Sequence, residues 1–287
     1  MSNLPMNFCI VGCGFIFNRH KEAIEALGGR VTGAVDIKHS KNPRLRDGIF
    51  FTDKMSMIIS RALSTMPYAA ICTPNNTHVE LAEFFTRHGA NVLIEKPACI
   101  SLEELDRLKR LPNVNIVLQL RYNKRLQELR NKWQKTPPEF IKMEFEVHRG
   151  DWYYQSWKAD EKQSGGLMSN IGAHYFDMMC WILGEPKEIK TIKGDNLKWV
   201  EGEIQFEKTK VFFSLRIDAK ENEQKRKMTW GNKEKEKEVF DLTPLFASLH
   251  KEVYEDFIQN KGITIRDAEM GILLIDRLKN KLYANSV

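Results

Sequence analysis

The sequence predicts an α/β chain in which a doubly wound parallel sheet is followed by an α+β domain built on an antiparallel or mixed open sheet. Up to Leu120, short apolar runs alternate with stretches of helical period, the grammar of a parallel sheet covered on both faces. Beyond Tyr122 the runs give way to apolar–polar alternation, which marks strands with one solvated face. A chain of 287 residues, 42% hydrophobic and 29% charged, can bury one large core or two medium ones.

The first-half strands are expected at residues 8–12, 31–36, 68–72, 91–94 and 115–118. The helices between them fall at 19–27, 77–88 and 101–111, the last opening on Ser101 with Glu104 three residues later, a capping box. In the second half, residues 140–149, 199–206 and 211–217 read as strands interrupted by a helix over 167–183. Amphipathic helices at 246–259 and 267–283 close the chain, and the last can fold back on the first domain. The expected domains are therefore 1–121 and 122–287, with no internal repeat or low-complexity segment.

The formal charge of +6 is spread among interleaved acids, as in the alternating lysines and glutamates of 233–238, which reads as a solvated strand or turn. This argues against a nucleic-acid surface and suits a small anionic ligand. No run of about 18 apolar residues and no signal-peptide pattern occurs, so neither a membrane partner nor export is expected and the cytoplasm is the expected location. The five cysteines form no CxxC pair and are expected as buried free thiols, with no metal site.

Gly12 and Gly14 stand where a buried strand turns into a helix, which lets the backbone approach a pyrophosphate at the helix N-terminus. Asp36 ends the second apolar run, where a carboxylate can accept hydrogen bonds from the adenosine ribose. Together they indicate a Rossmann dinucleotide-binding domain. The carboxylate repels a 2′-phosphate and so favours NAD over NADP, a preference that Lys38 and His39 weaken. The third fingerprint position is Phe17 rather than a small residue, which implies either a ring pointing outward from the helix start with altered local packing or a degenerate site, the first being the expectation.

Cys72-Thr73-Pro74-Asn75-Asn76-Thr77-His78, Glu95-Lys96-Pro97 after a strand, Gly165-Gly166, and Gly172-Ala173-His174-Tyr175-Phe176-Asp177 resemble the glucose-fructose oxidoreductase and inositol dehydrogenase (Gfo/Idh/MocA) family over nearly the whole chain. Gln119-Leu120-Arg121, the stretch 149–158 and the stretch 164–172 are similar to the subgroup that oxidises UDP-N-acetyl-2-amino-2-deoxyglucuronic acid at C3 on the way to surface-polysaccharide sugars. A short stretch between Ala219 and Phe240 and the residue at Phe17 depart from that subgroup. The resemblance implies NAD as cofactor, a sugar-nucleotide substrate, 2-oxoglutarate as hydride acceptor in place, and a homodimer or homotetramer. It places Phe15, Ile16, Thr73, Pro74, Asn75, His78, Glu95 and Lys96 beside the cofactor with Gly12, Gly14 and Asp36.

Oxidising a secondary alcohol requires a base for the hydroxyl proton and a cationic or hydrogen-bonding partner for the oxygen. Lys96 ends a parallel strand at the sheet edge where such folds bind ligands. His174 can exchange a proton near neutral pH, and Asn170, four residues earlier on the expected helix, projects from the same face to orient substrate. His174 is expected as the base and Lys96 as the oxygen's partner or proton relay, with the reverse assignment open. Asp177 lies three residues from His174, but no third ligand at metal spacing accompanies them, and it reads as a structural carboxylate or one that supports a neighbouring site residue. Arg121 suits bidentate pairing with a sugar carboxylate, or else a surface or interdomain salt bridge. Arg149, Trp157 and Lys158 suit substrate phosphates or a uridine ring, or else a buried loop interface. The alternatives to a sugar-nucleotide dehydrogenase are a dehydrogenase of a free sugar or cyclitol, and a sensing regulator on the same fold without turnover.

Overall fold

The computed structural model describes residues 6–37, 49–52, 66–232, 237–246 and 249–285, with the side chains of residues 50, 51, 245 and 246 left aside. Lys38, His39 and most of the 233–238 charge run lie outside the described residues. The chain divides into two compact units. The first comprises Met1–Cys99, Glu103–Gln119 and His250–Asp267, and the second Ile100–Leu102, Leu120–Leu249 and Ala268–Val287.

In the first unit, β1 (Asn7–Val11), α1 (Phe17–Glu25), β2 (Arg30–Val35), β3 (Phe50–Thr52), β4 (Tyr68–Ile71), α2 (His78–Arg87), β5 (Asn91–Ile94), α3 (Leu102–Lys109) and β6 (Val114–Ile116) follow one another. The six strands pair in the order β3-β2-β1-β4-β5-β6, all parallel. Tyr68, Ala69, Ala70 and Ile71 of β4 and Val92, Leu93 and Ile94 of β5 are all buried, as strands covered on both faces must be. The strand order reverses between β1 and β4, so the carboxyl ends of β1, β2, β4 and β5 open onto the crevice where such sheets bind ligands.

The second unit contains α4 (Lys124–Trp133), β7 (Phe140–Glu146), α5 (Asp151–Tyr154), α6 (Glu161–Ser164), α7 (Gly166–Asn170), α8 (Ala173–Leu183), β8 (Glu188–Gly194), β9 (Trp199–Gln205), β10 (Lys210–Arg216), β11 (Lys225–Gly231) and β12 (Lys237–Asp241). Its sheet runs β12-β11-β7-β10-β9-β8 and is mixed: β10 pairs with β7 in parallel and the other neighbours are antiparallel. One face carries Ile141, Met143, Phe145, Val211, Phe213, Leu215, Met228 and Trp230 into a core shared with α4 and α8.

The chain ends with α9 (His250–Ile258) and α10 (Ile265–Ala284). A single break after residue 121, with the last helix returning, was expected. Instead α9 belongs to the first unit and α10 lies mostly in the second. Aromatic packing accounts for α9: Tyr254 meets Phe8 edge-on at 5.5 Å between ring centroids, and Phe257 meets Tyr68 at 5.7 Å. All five cysteines are free thiols. No described helix is long and apolar enough to cross a membrane.

Candidate active site

In the first unit the glycine turn is shaped for close approach. Gly12 has φ +93°, its N–H donates to Val35 O at 2.7 Å, and a Cβ built on it would lie 2.6 Å from Cys72 O. Only glycine fits there. A Cβ at Gly14 meets nothing within 4 Å, so the protein's own packing does not demand that glycine, and the open space would let a pyrophosphate approach closely. The Cys13 N–H donates to Asp36 Oδ2 at 2.7 Å, which fixes the carboxylate at the end of β2 beside this turn. These residues fit a dinucleotide with its ribose on Asp36 and its pyrophosphate at the start of α1.

Phe17 corrects the expectation that it points outward. It is fully buried on the stripe Phe17, His20, Ala23 and Ile24 of α1, because an apolar ring at the helix start is better removed from water. The exposed aromatic is its neighbour Phe15, 75% exposed with the Arg19 guanidinium 5.6 Å from its ring. Ile16, half-buried, is the N-cap of α1.

Thr73 and Pro74 lie in the turn after β4, Asn75 is buried in the short 3-10 turn that follows, and Thr77 Oγ1 donates to Thr73 Oγ1 at 2.7 Å. His78, expected beside the cofactor, is buried between the two motif turns. Its Nδ1 faces Pro97 O at 2.8 Å and its Nε2 faces Thr73 O at 3.0 Å, linking the two motif turns, and burial lowers its proton affinity. Lys96 follows β5, half-buried, joined to Pro97 by a cis peptide.

Glu95, also expected beside the cofactor, meets two buried histidines. Its Oε1 lies 2.9 Å from His20 Nε2 and 3.5 Å from His250 Nε2, while Oε2 accepts from the Lys96 N–H at 3.2 Å. Tyr254 Oη lies 2.7 Å from His20 Nδ1. The two imidazoles hold the Glu95 carboxyl well below its ordinary range in spite of its burial, whereas burial lowers the proton affinity of His20 against the pull of Glu95. The donor atoms of His20, Glu95 and His250 all lie within 4.8 Å of one another, close enough to hold a metal ion, although no sequence spacing signals them. The available signal was a histidine on an apolar helical stripe, His20 in α1 and His250 with Val253, Tyr254 and Phe257 in α9.

In the second unit the expected helix over 167–183 is broken. Asn170 ends α7 and His174 lies in the first turn of α8, with Ile171 and Gly172 between. The one-face argument for this pair therefore fails. Gly172 permits the break: a Cβ there would sit 2.5 Å from Met168 O and 2.9 Å from Leu215 Cδ1. Asn170 Nδ2 donates to Tyr153 Oη at 3.1 Å, and both His174 and Asn170 are buried.

Arg121, for which a sugar carboxylate or a salt bridge was the expected partner, carries its fork to Asp177. Nε donates to Oδ2 at 2.9 Å and Nη2 to Oδ1 at 2.6 Å, nearly buried. Asp177 is thus the structural carboxylate that the sequence suggested. Arg149, Trp157 and Lys158 do share a cluster: the Lys158 ammonium lies 5.3 Å from the Trp152 ring and 5.9 Å from that of Trp157, with Arg149 5.9 Å from Trp152.

Comparisons with known proteins place this architecture. The model of the oxidoreductase family with an NAD-binding Rossmann fold, GFO/IDH/MocA, matches residues 6–117, and the GFO/IDH/MocA C-terminal domain matches 137–210. The inositol 2-dehydrogenase of Rhizobium meliloti (strain 1021) is 24% identical over 185 residues, 63% of this chain and 56% of that protein. The chain thus spans about half the length of that relative. The WlbA (WbpB) dehydrogenase from Thermus thermophilus in complex with NAD and alpha-ketoglutarate superposes with a TM-score of 0.82 at 29% identity, covering 93% of this chain and 92% of that one. The same enzyme in complex with NAD and UDP-GlcNAcA gives 0.81 at 28% identity, covering 94% and 93%. With both of its domain models matched in order along the sequence, the chain belongs to the Gfo/Idh/MocA family of NAD-binding oxidoreductases.

Proposed function

We propose that the protein is an NAD-dependent dehydrogenase that oxidises the C3 hydroxyl of UDP-N-acetyl-D-glucosaminuronic acid, a step toward the sugars of surface polysaccharides such as lipopolysaccharide. The observation that carries the substrate class is the loop of the second unit in which Arg149 and Lys158 stand against Trp152 and Trp157. A free polyol needs few charges, whereas a diphosphate needs several donors. The likeness to the Thermus thermophilus dehydrogenase seen with UDP-GlcNAcA, over 94% of this chain, supports the same substrate.

In this reading bound NAD supplies the hydride acceptor. Gly12, Gly14 and Asp36 position it, and Cys13 fixes Asp36 through its N–H. We assign the hydroxyl proton to His174 and stabilisation of the developing oxygen charge to Lys96, whose ammonium suits that role. The C3 carbon loses hydride and the hydroxyl loses its proton, which leaves the 3-keto sugar. The similar dehydrogenase seen with alpha-ketoglutarate supports 2-oxoglutarate as the acceptor that regenerates NAD by becoming the 2-hydroxy acid.

The second reading, oxidation of a free sugar or cyclitol, is favoured by the similarity to inositol 2-dehydrogenase. The test is to incubate the protein with UDP-N-acetylglucosaminuronic acid, with and without 2-oxoglutarate, and with myo-inositol, following NADH and products. A 3-keto sugar nucleotide from the first substrate is the expected result; turnover of myo-inositol alone selects the second reading.

A further inference from the structure

Among the described residues, three cations of the second unit gather without an ion-paired anion. Strand β11 pairs with β7 so that Trp230 faces Ile141, Met228 faces Met143 and Arg226 faces Phe145. Met228, Trp230, Ile141, Met143 and Phe145 all belong to the apolar core, so Arg226 stands at the end of a core-facing row. Its sequence neighbours point the other way and are neutralised there: Lys225 lies 3.2 Å from Glu146 and Lys227 lies 3.5 Å from Glu144. Arg226 has no such partner among the described residues. Its Nε is buried without a hydrogen bond, and its guanidinium lies 5.7 Å from the Phe145 ring.

Arg149 meets it where the chain leaves β7, anchored by its N–H to Ile217 O at 3.0 Å. The Arg149 Nε is likewise buried without a hydrogen bond. Arg226 and Arg149 repel each other, as do Arg149 and Lys158, and burial together with that repulsion loosens the proton on Arg149 and on Lys158. Among the described residues no carboxylate forms an ion pair with any of the three. Asp241 feels the charge of Arg226, but its Oδ1 accepts the Thr243 N–H at 2.8 Å.

A half-buried group of like charges, two of them with buried and unbonded Nε donors, opposes folding, so a role in ligand binding explains why it is present. Two planar forks and a point-charge ammonium match two adjoining phosphoryl groups better than one carboxylate, which a single fork satisfies. We propose that Arg226, Arg149 and Lys158 form a subsite for the diphosphate of a nucleotide-linked substrate. This rests on the sugar-nucleotide reading above, and Arg226 is the member of the set that the sequence reading did not single out.

The test measures binding of UDP, uridine and UDP-N-acetylglucosaminuronic acid to the NAD-loaded protein by calorimetry, for wild type, Arg226→Gln and Arg226→Lys. Wild type is expected to bind UDP far more tightly than uridine. R226Q is expected to lose at least tenfold for UDP and nothing for uridine, with partial recovery in R226K. The ligand-free melting temperature of R226Q is expected to equal or exceed that of wild type, because a repulsion has been removed.

Unchanged UDP affinity in R226Q, or loss confined to the uronate-bearing ligand, overturns the subsite even if the enzyme turns over the sugar nucleotide. A lower ligand-free melting temperature in R226Q does so too, by making the arginine structural. If wild type binds neither UDP nor the UDP-sugar yet oxidises myo-inositol, the sugar-nucleotide reading itself fails and the subsite falls with it.

Discussion

His20 Nε2 lies 2.9 Å from Glu95 Oε1 across 75 residues of sequence, and Tyr254 closes the other side of the imidazole at 2.7 Å. This joins α1, the residue preceding Lys96, and α9 through one buried ring. The Tyr254 hydroxyl donating to Nδ1 while Nε2–H donates to Glu95 satisfies all three groups with a neutral imidazole.

Stability is therefore expected to fall on acidification in two stages. Burial lowers the His20 pKa below 6.5, so between its folded value and 6.5 the unfolded chain binds a proton that the folded chain refuses. The contribution is complete above pH 6.5 and is lost as pH falls below it. Glu95, held well below 4.5, contributes fully above pH 4.5 and loses that contribution as pH falls through its folded value. Urea unfolding from pH 8 to pH 4 is expected to show the midpoint falling from about pH 6.5 downward, and His20→Gln to flatten the upper part of that fall. A pH-independent midpoint between 6.5 and 5 would falsify the assignment.

The two glycines of the turn are expected to fail differently. Gly12→Ala forces a side chain into positive φ and against Cys72 O, so it should cost about 1–3 kcal/mol of stability. Gly14→Ala has space for its methyl and should leave the melting temperature within a degree or two while weakening NAD. Thermal melts and NAD titration of both variants separate the two effects; equal destabilisation by both would contradict the geometry.

The parallel sheet was legible because buried strands such as Tyr68–Ile71 and Asn91–Ile94 are unbroken apolar runs between helical stretches. Three-residue β3 is too short to carry a signal. In β8 the register shifts between Ile189 and Thr191, so its buried residues, Ile189 and Ile192, fall three apart and the period of two is lost. In β11 the charges of Lys225, Arg226 and Lys227 hide the strand: two answer carboxylates on the outer face, and the third ends the inner row. The sequence also left out α4, although Asn123 caps it by accepting the Leu126 N–H at 3.1 Å and Leu126, Leu129 and Trp133 form its buried stripe. Gly12, Asp36 and the turn after β4 were readable at the site because each ends a strand. The ring of His20, Glu95, His250 and Tyr254 was not, since its contacts arise only when α9 returns to the first unit.

Asp36→Ala is expected to weaken NAD about tenfold, roughly 1.4 kcal/mol, through loss of the ribose acceptor and of the Cys13 N–H bond that shapes the turn. NADP affinity should fall less or rise, because the 2′-phosphate no longer meets a carboxylate. Titrating both cofactors into both proteins decides this, and an unchanged NAD to NADP ratio sinks the ribose assignment.

Lys96→Met and His174→Ala are each expected to lower kcat by about 10²–10⁴ while NAD affinity changes little, as for loss of a proton-transfer group or its electrostatic partner. Rapid-mixing measurement of NADH formation tests the chemical step itself. Undiminished rates in either variant remove that residue from the reaction.

Arg121 and Asp177 distinguish a structural pair from a substrate grip. Both side chains are nearly buried and the pair is bidentate, so removing one partner strands the other charge; Arg121→Ala is expected to cost about 3–5 kcal/mol. The double variant Arg121→Met with Asp177→Leu leaves no stranded charge and should be less destabilised than either single change, a coupling that a double-mutant cycle in urea measures. Because the guanidinium is committed to Asp177, the ratio of KM for UDP-N-acetylglucosaminuronic acid to that for UDP-N-acetylglucosamine should stay the same in Arg121→Lys. A selective rise for the uronate would instead show Arg121 reaching the sugar carboxylate, and the ion pair would then be the arrangement it leaves on binding.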